Sequence, residues 1–218
     1  ITCRDWSSDV CSSDLGQELA THADVVALSF TGSHAIGQVI YQQLAPRMAR
    51  AQMEMGGKNP TIVLADADLD LAANLVIKAG FGLTGQACTA TSRVIVEKAV
   101  LEPFLERLVA RARELKVGNG LSPGVEMGPA VSQAQLEIDL DYIRIAQAEG
   151  ARLVCGGQRL IEGEFAHGHF LEPTVLRDVT PTMRIAREEV FGPVVAVLGV
   201  DDFEAALAVA NGVDVGLS

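Results

Sequence analysis

Short runs of β-branched residues alternate with stretches of helical period from residue 24 onward. "DVVALSF" (24–30), "TIVL" (61–64), "SRVIVEK" (92–98), "RLVCGG" (152–157), "TVLRDV" (174–179) and "PVVAVLGV" (193–200) read as strands. Between them, "GSHAIGQVIYQQLA" (32–45) spaces Ile36, Val39, Ile40 and Leu44 along one helix face and ends at Pro46. "DLDLAANLVIKAGFG" (68–82), "AVLEPFLERLVARARELK" (99–116), "SQAQLEIDLDYIRIAQAEG" (132–150) and "DFEAALAVANG" (202–212) predict further helices. The third of these opens on a Ser132-x-x-Gln135 capping box. Parallel strands need a crossover between them, and helices of this length supply one, so the rhythm predicts an α/β protein with a mainly parallel sheet.

The chain has 218 residues and is 49% hydrophobic, enough to bury a core. Its net charge is −11 and it has no Lys/Arg cluster, which argues against a nucleic-acid partner. No apolar run is long enough to cross a bilayer. Cys3, Cys11, Cys88 and Cys155 form no CxxC and no metal spacing, which fits a reducing compartment. His167 and His169 in "AHGHF" read as a surface turn, so no metal is expected. The stretch "DWSSDVCSSDL" (5–15) has no periodicity and back-translates to a common sequencing-library adapter. Residues 1–15 are therefore expected to be a non-native leader and are set apart.

Four stretches carry chemistry. In "SFTGSHAIG" (29–37) a strand runs into Gly32 and Ser33, which open a helix. That is an anion site for a pyrophosphate, or a small-residue N-cap. In "MEMGGKNP" (53–60), Glu54 precedes two glycines and is either a general base or a solvated acid before a turn, while Lys58 reads as a structural ion pair. In "GFGLTGQACTATSR" (80–93), Cys88 stands among small residues that let a carbonyl approach the sulfur and backbone N–H groups face an oxyanion. The alternative is an inert cysteine, as Cys155 is read. In "REEVFGPV" (187–194), Glu189 can hold ribose hydroxyls and Phe191 can pack on a ring, or the segment is a helix-terminal turn with solvated acids.

In this order, Phe30-Thr31-Gly32-Ser33 with Gly37, Glu54-Met55-Gly56-Gly57-Lys58, Gly85-Gln86-Ala87-Cys88 and Glu188-Glu189-Val190-Phe191-Gly192-Pro193 closely resemble the aldehyde dehydrogenase superfamily, with the Glu54-to-Cys88 separation that family requires. The resemblance runs over residues 16–218. It implies a truncated Rossmann-type cofactor domain (16–55, the C-terminal part of an NAD(P)-binding domain) followed by most of the α/β catalytic domain (56–218), cut short at its C-terminus. It also implies that Cys88 is the nucleophile and Glu54 the base for thioester hydrolysis. Gly32, Ser33 and Gly37 correspond to the pyrophosphate turn, the Met55 carbonyl to the carboxamide contact, and Glu189 and Phe191 to the nicotinamide-ribose contacts. The cofactor would be NAD or NADP, the substrate a small aldehyde, the setting a bacterial cytoplasm, and the complete protein a homo-oligomer, dimer or tetramer.

Within the family, "EMGGKNPTIVLADADLDLA" and the Cys88 stretch look most like bacterial α-ketoglutaric semialdehyde (2,5-dioxopentanoate) dehydrogenases. Succinate semialdehyde or an aromatic aldehyde is the alternative substrate. Retention of both Cys88 and Glu54 favours an enzyme over a non-catalytic protein on the same fold. A cysteine hydrolase would need a histidine base, and His22, His34, His167 and His169 sit in no recognised motif. Missing from the family pattern are the segments that bear the oxyanion-hole Asn, the adenosine-ribose residues that choose NAD or NADP, and the oligomerisation strand. Val215 also stands where an aromatic usually precedes Gly-Leu. The chain by itself is expected to be inactive.

Overall fold

The computed structural model describes residues 10–217. Contacts divide the chain into two compact units, Ile1–Gly56 and Gly57–Ser218.

The first unit holds α1 (Val10–Thr21), β1 (Ala27–Gly32), α2 (His34–Leu44) and β2 (Arg50–Met55). The two strands pair in parallel, Ala27 opposite Arg50 through Gly32 opposite Met55, with α2 as the crossover. Ala20, Ile40 and Leu44 form a small core against Leu28, Phe30, Ala51 and Met53. Strand β1 starts at Ala27 rather than Asp24, because the turn after α1 uses the preceding residues: Val25 N donates to His22 O at 3.1 Å.

Helix α1 corrects the sequence reading. Residues 16–23 suggested no element and residues 1–15 no helix, yet the helix starts at Val10 and crosses that boundary. Residues 1–9 lie outside the described residues. The reason is tertiary. Ala20 is buried, and the Arg47 guanidinium donates to the carbonyls of Ala20 (2.6 Å), Val25 (3.2 Å) and His22, which satisfies the last turn. Once that end is anchored, each upstream residue adds a hydrogen bond with no new nucleation cost.

The second unit contains β3 (Pro60–Val63), α3 (Leu69–Phe81), β4 (Arg93–Glu97), α4 (Leu101–Glu114), α5 (Gln133–Ala148), β5 (Arg152–Cys155), β6 (Arg159–Leu160), β7 (Phe170–Leu171), β8 (Thr174–Arg177), α6 (Arg184–Arg187), β9 (Val194–Val200) and α7 (Phe203–Ala210). Five strands make one sheet in the order β3-β4-β9-β8-β5, and only β5 runs antiparallel to its neighbour. Strands β6 and β7 form a separate antiparallel pair.

Strand β9 shows why its sequence is an unbroken apolar run. Val195 and Val197 join the core that contains Val76 of α3 and Leu108 of α4, while Val194, Ala196 and Leu198 join the one that contains Leu136 and Ile143 of α5. Both faces are covered, so alternation with polar residues is lost. Each fully buried Val or Leu contributes about 1.5–3 kcal/mol.

Caps set the helix ends. The Asp68 carboxylate accepts from Asp70 N and Leu71 N at 3.0 Å, and Asp202 accepts from Ala205 N at 2.8 Å. The capping box of α5 is only half made. Ser132 Oγ accepts from Gln135 N at 3.2 Å, but the Gln135 amide faces inward and donates to Asp139 Oδ1 (2.6 Å) and Val190 O (2.9 Å).

Arg93, at the start of β4, is 2% exposed. Its guanidinium donates to Lys58 O (2.9 Å), Val209 O (3.0 Å) and Ala210 O (3.0 Å), the latter two at the carbonyl end of α7. Arg93→Met leaves three carbonyls without this donor and should lower the stability of the second unit by about 3 kcal/mol or more. Arg93→Lys should recover only part of it, since an ammonium lacks the planar fork. Urea midpoints of the three proteins check this, and a midpoint for Arg93→Met equal to wild type would refute it.

Candidate functional site

Strands β3, β4 and β9 are parallel neighbours, so the segments that lead into them end on one edge of the sheet. Asn59, Ser92 and Pro193 occupy that edge. Ser92 N and Arg93 N both donate to Asn59 O at 3.2 Å, and Ala196 N donates to Ser92 O at 3.0 Å. The motif loops of this unit therefore gather at the amino-terminal ends of its parallel strands.

The Cys88 loop starts with unusual backbone. Leu83, Thr84 and Gly85 are consecutive left-handed residues, with φ of 52°, 61° and 66°. For a residue with a Cβ this region costs about 1–2 kcal/mol, so the surroundings must hold it. Thr84 Oγ1 donates to Gly128 O at 3.1 Å. Gln86 accepts from Val131 N at 2.8 Å and donates to Pro129 O at 3.3 Å. Gly85 lies against Gly192, and a Cβ on it would stand 2.2 Å from the Gly192 carbonyl oxygen. A turn then closes with Ala90 N donating to Ala87 O at 3.0 Å, and the half-buried Cys88 stands at its tip beside Thr89. Asn59 Nδ2 donates to Cys88 O (2.7 Å) and Ala90 O (3.2 Å).

In the third loop the two adjacent acids have different surroundings. Glu188 takes Arg184 in a two-point pair (2.9 and 2.7 Å) and accepts from the Tyr142 hydroxyl at 2.6 Å. The Arg184 hydrogen bonds hold the Glu188 carboxyl below its usual range. Burial, then Glu188, push Tyr142 up to about 12. Glu189 is exposed and lines a small cavity of about 20 Å³ with Gly57, Gly85, Ala87 and Phe191. Phe191 is left-handed, with φ 64°. Behind it, a Cβ on Gly192 would stand 2.2 Å from Asp139 Oδ1, so the fully buried Asp139 carboxylate presses on this backbone.

The remaining sequence candidates belong to the first unit, at the carboxyl ends of β1 and β2. Ser33 caps α2, its hydroxyl accepting from Ile36 N at 3.4 Å. A Cβ at Gly32 would meet the Phe30 ring at 2.5 Å, and one at Gly37 would meet Met55 Sδ at 2.4 Å. Both glycines thus have a packing reason within the unit. Glu54 is exposed at the end of β2, next to Met55.

Comparison with known proteins decides the family. The profile of the aldehyde dehydrogenase family matches residues 10–218. The chain belongs to the aldehyde dehydrogenase family. It is 52% identical over 207 residues to an α-ketoglutarate semialdehyde dehydrogenase of Haloferax volcanii, covering 94% of this chain and 42% of that protein. Identity to an α-ketoglutaric semialdehyde dehydrogenase of Bacillus subtilis is 48% over 204 residues, with the same coverage. Identity to a betaine aldehyde dehydrogenase of Cereibacter sphaeroides is 47% over 204 residues, or 94% of this chain and 41% of that one. Among solved structures, betaine aldehyde dehydrogenase of Staphylococcus aureus in complex with NAD+ superposes with a TM-score of 0.91 at 37% identity, over 93% of this chain and 40% of that chain. The chain thus spans about two fifths (42%) of the length of the curated relatives it matches.

In this member of the aldehyde dehydrogenase family, sequence reasoning missed Asn59, Gln135 and Asp139 as supports of the motif loops. The only signal was Asn59's place between Lys58 and Pro60. Gln135 looked like a capping residue, and nothing showed that Asp139 would face the loop before β9. Lys58 is 2% exposed. Burial first, then the charge of Arg93, push its pKa down to about 7, against the opposite pull of Glu189 and Glu188.

That shift has a defined sign. Between about pH 7 and the ordinary lysine value of 10.5, the unfolded chain holds the Lys58 proton and the folded one does not. Stability therefore rises with pH across this window and is flat with respect to Lys58 below it, with a slope of at most about 1.4 kcal/mol per pH unit. Relative to Lys58→Met, the wild type should gain stability from pH 7 to pH 10. Urea titrations at stepped pH read the difference, and parallel profiles would contradict the shift.

Proposed function

We propose that this chain is a segment of an NAD(P)-dependent aldehyde dehydrogenase that oxidises an aldehyde to its carboxylic acid. Cys88 is the nucleophile and Glu54 the base. The observation that carries the reading is the Cys88 turn: a half-buried thiol at the tip of a Gly/Ala loop, tied on three sides, within a chain that belongs to this family. Among the described residues the other free cysteine is Cys155, which is buried, and burial pushes its thiol up.

The chemistry follows from the side chains. The Cys88 thiolate adds to the aldehyde carbon, and the small neighbours leave room for that approach. Backbone N–H groups of the turn are the donors this unit offers the resulting oxyanion. A bound nicotinamide would supply the hydride acceptor for the carbon that Cys88 holds, so that this carbon is oxidised by two electrons. A thioester remains on Cys88. Glu54 removes a proton from water, the oxygen adds to the thioester carbon, and the C–S bond breaks to release the acid and restore the thiolate.

The residues present fit a dinucleotide. The first internal bond of α2 is Gly37 N to Ser33 O, at 3.0 Å, which leaves the His34 and Ala35 N–H groups at a helix N-terminus, beside the Ser33 hydroxyl. We assign Gly32, Ser33 and Gly37 to the pyrophosphate, the Met55 carbonyl to the carboxamide, and Glu189 and Phe191 to the nicotinamide ribose. The place of Glu189 in one small cavity with Gly57, Ala87 and Phe191 supports it as the ribose contact. The relatives at 52% and 48% identity support α-ketoglutaric semialdehyde as substrate. Betaine aldehyde is the second reading, because relatives of that name follow at 47%.

In the completed protein, Cys88→Ala should abolish oxidation of 2,5-dioxopentanoate, betaine aldehyde and succinate semialdehyde alike; turnover within about tenfold of wild type would remove Cys88 from the chemistry. Glu54→Gln should give a burst of reduced cofactor, at most one per site, with the acyl group found on Cys88 by mass spectrometry and little steady turnover. Unchanged steady turnover would exclude Glu54. The isolated chain should reduce neither NAD+ nor NADP+ with any of these aldehydes. Cys88-dependent activity in it would show that the rest of the family's length is dispensable.

A further inference from the structure

We infer that Asn59 is a positioning residue that sets the direction of the Cys88 side chain. The inference rests on Cys88 being the nucleophile.

Asn59 is 7% exposed, and its backbone is tied into the sheet edge. Its carbonyl accepts from both Ser92 N and Arg93 N, and the next residue, Pro60, pairs with Arg93 in the sheet. Its amide has a defined orientation. Oδ1 faces Gly57, where a Cβ would stand 2.8 Å away. The two N–H groups of Nδ2 reach Cys88 O at 2.7 Å and Ala90 O at 3.2 Å. A primary amide has two such donors, and both are used on this turn.

The direction of a Cα–Cβ bond is set by the peptide planes on either side of the Cα. The plane before Cys88 is held through Ala87 O, which accepts from Ala90 N at 3.0 Å. The plane after it is held through Cys88 O, which accepts from Asn59. Peptide planarity then points the Thr89 N–H away from Asn59. The loop residues Gly85, Ala87 and Ala90 have no bulk of their own to fix these planes. Asn59 therefore supplies, from a strand end, an order that the small loop gives up in leaving space for a substrate. A misplaced nucleophile costs rate: about 1 Å corresponds to as much as a hundredfold.

Two variants of the completed protein test this. Asn59→Leu removes both donors at similar volume, and Asn59→Ser keeps a single shorter one. The readouts are the single-turnover rate of cofactor reduction, the cofactor KM, and the rate of Cys88 alkylation by iodoacetamide, followed by mass spectrometry so that Cys155 is counted separately. We expect Asn59→Leu to slow the single-turnover step by about 10- to 100-fold, Asn59→Ser to fall between it and wild type, the cofactor KM to stay within about threefold, and Cys88 alkylation to change while Cys155 alkylation does not. A single-turnover rate within about threefold of wild type in a folded variant overturns the inference, as does a loss seen only in the urea midpoint. If Asn59→Leu does not fold, Asn59→Ser decides by the same criteria. Cys88→Ala, run alongside, separates the two claims. If it still turns over, the nucleophile assignment fails; if it is dead while the Asn59 variants react normally, only the positioning role fails.

Discussion

The Gly192 carbonyl occupies the space that any side chain on Gly85 would need. This backbone-to-backbone approach joins the loop before β4 to the loop before β9, and much of the site follows from it. Gly85 must also accept φ 66°, which only glycine does without strain. Gly192 in turn is pressed from behind by the Asp139 carboxylate, and its neighbour Val190 is held by Gln135 from the same helix. A thiol loop made of small residues has little packing energy to hold it. Neighbouring backbone and buried polar groups order it instead.

That arrangement explains why polar residues lie so deep in this unit. Lys58, Arg93, Gln135 and Asp139 are all nearly or fully buried. Each costs desolvation, and Arg93 and Gln135 recover it through hydrogen bonds to carbonyls of segments far away in sequence. These bonds are directional, so they fix the register of loops where apolar contacts alone would permit sliding. The apolar work is done further along the strands, where β4, β8 and β9 are buried on both faces.

The two units present their motif residues at opposite strand ends. In the first, Gly32, Ser33, Glu54 and Met55 stand at the carboxyl ends of β1 and β2, the usual position for a nucleotide in a parallel sheet. In the second, the Cys88 and Glu189 loops precede β4 and β9 and so stand at the amino ends. In the chemistry we propose, this division matches two tasks: holding a dinucleotide, and holding a thiol against its substrate.

By itself the sequence determined the alternation of strand and helix, the Ser132 cap of α5, and the four motifs, because these depend on residues close together in the chain. It could not determine that α1 forms, since burial of Ala20 and the Arg47 bonds that anchor its last turn come from beyond β1. Nor did it reveal the second bond of Gln135, the task of Arg93, or the clamp of Asn59 on Cys88, whose partners lie 55, 116 and 29 residues away. Local propensity acts within a few residues, whereas the supports of the thiol are carbonyls that meet only after the parallel strands have paired.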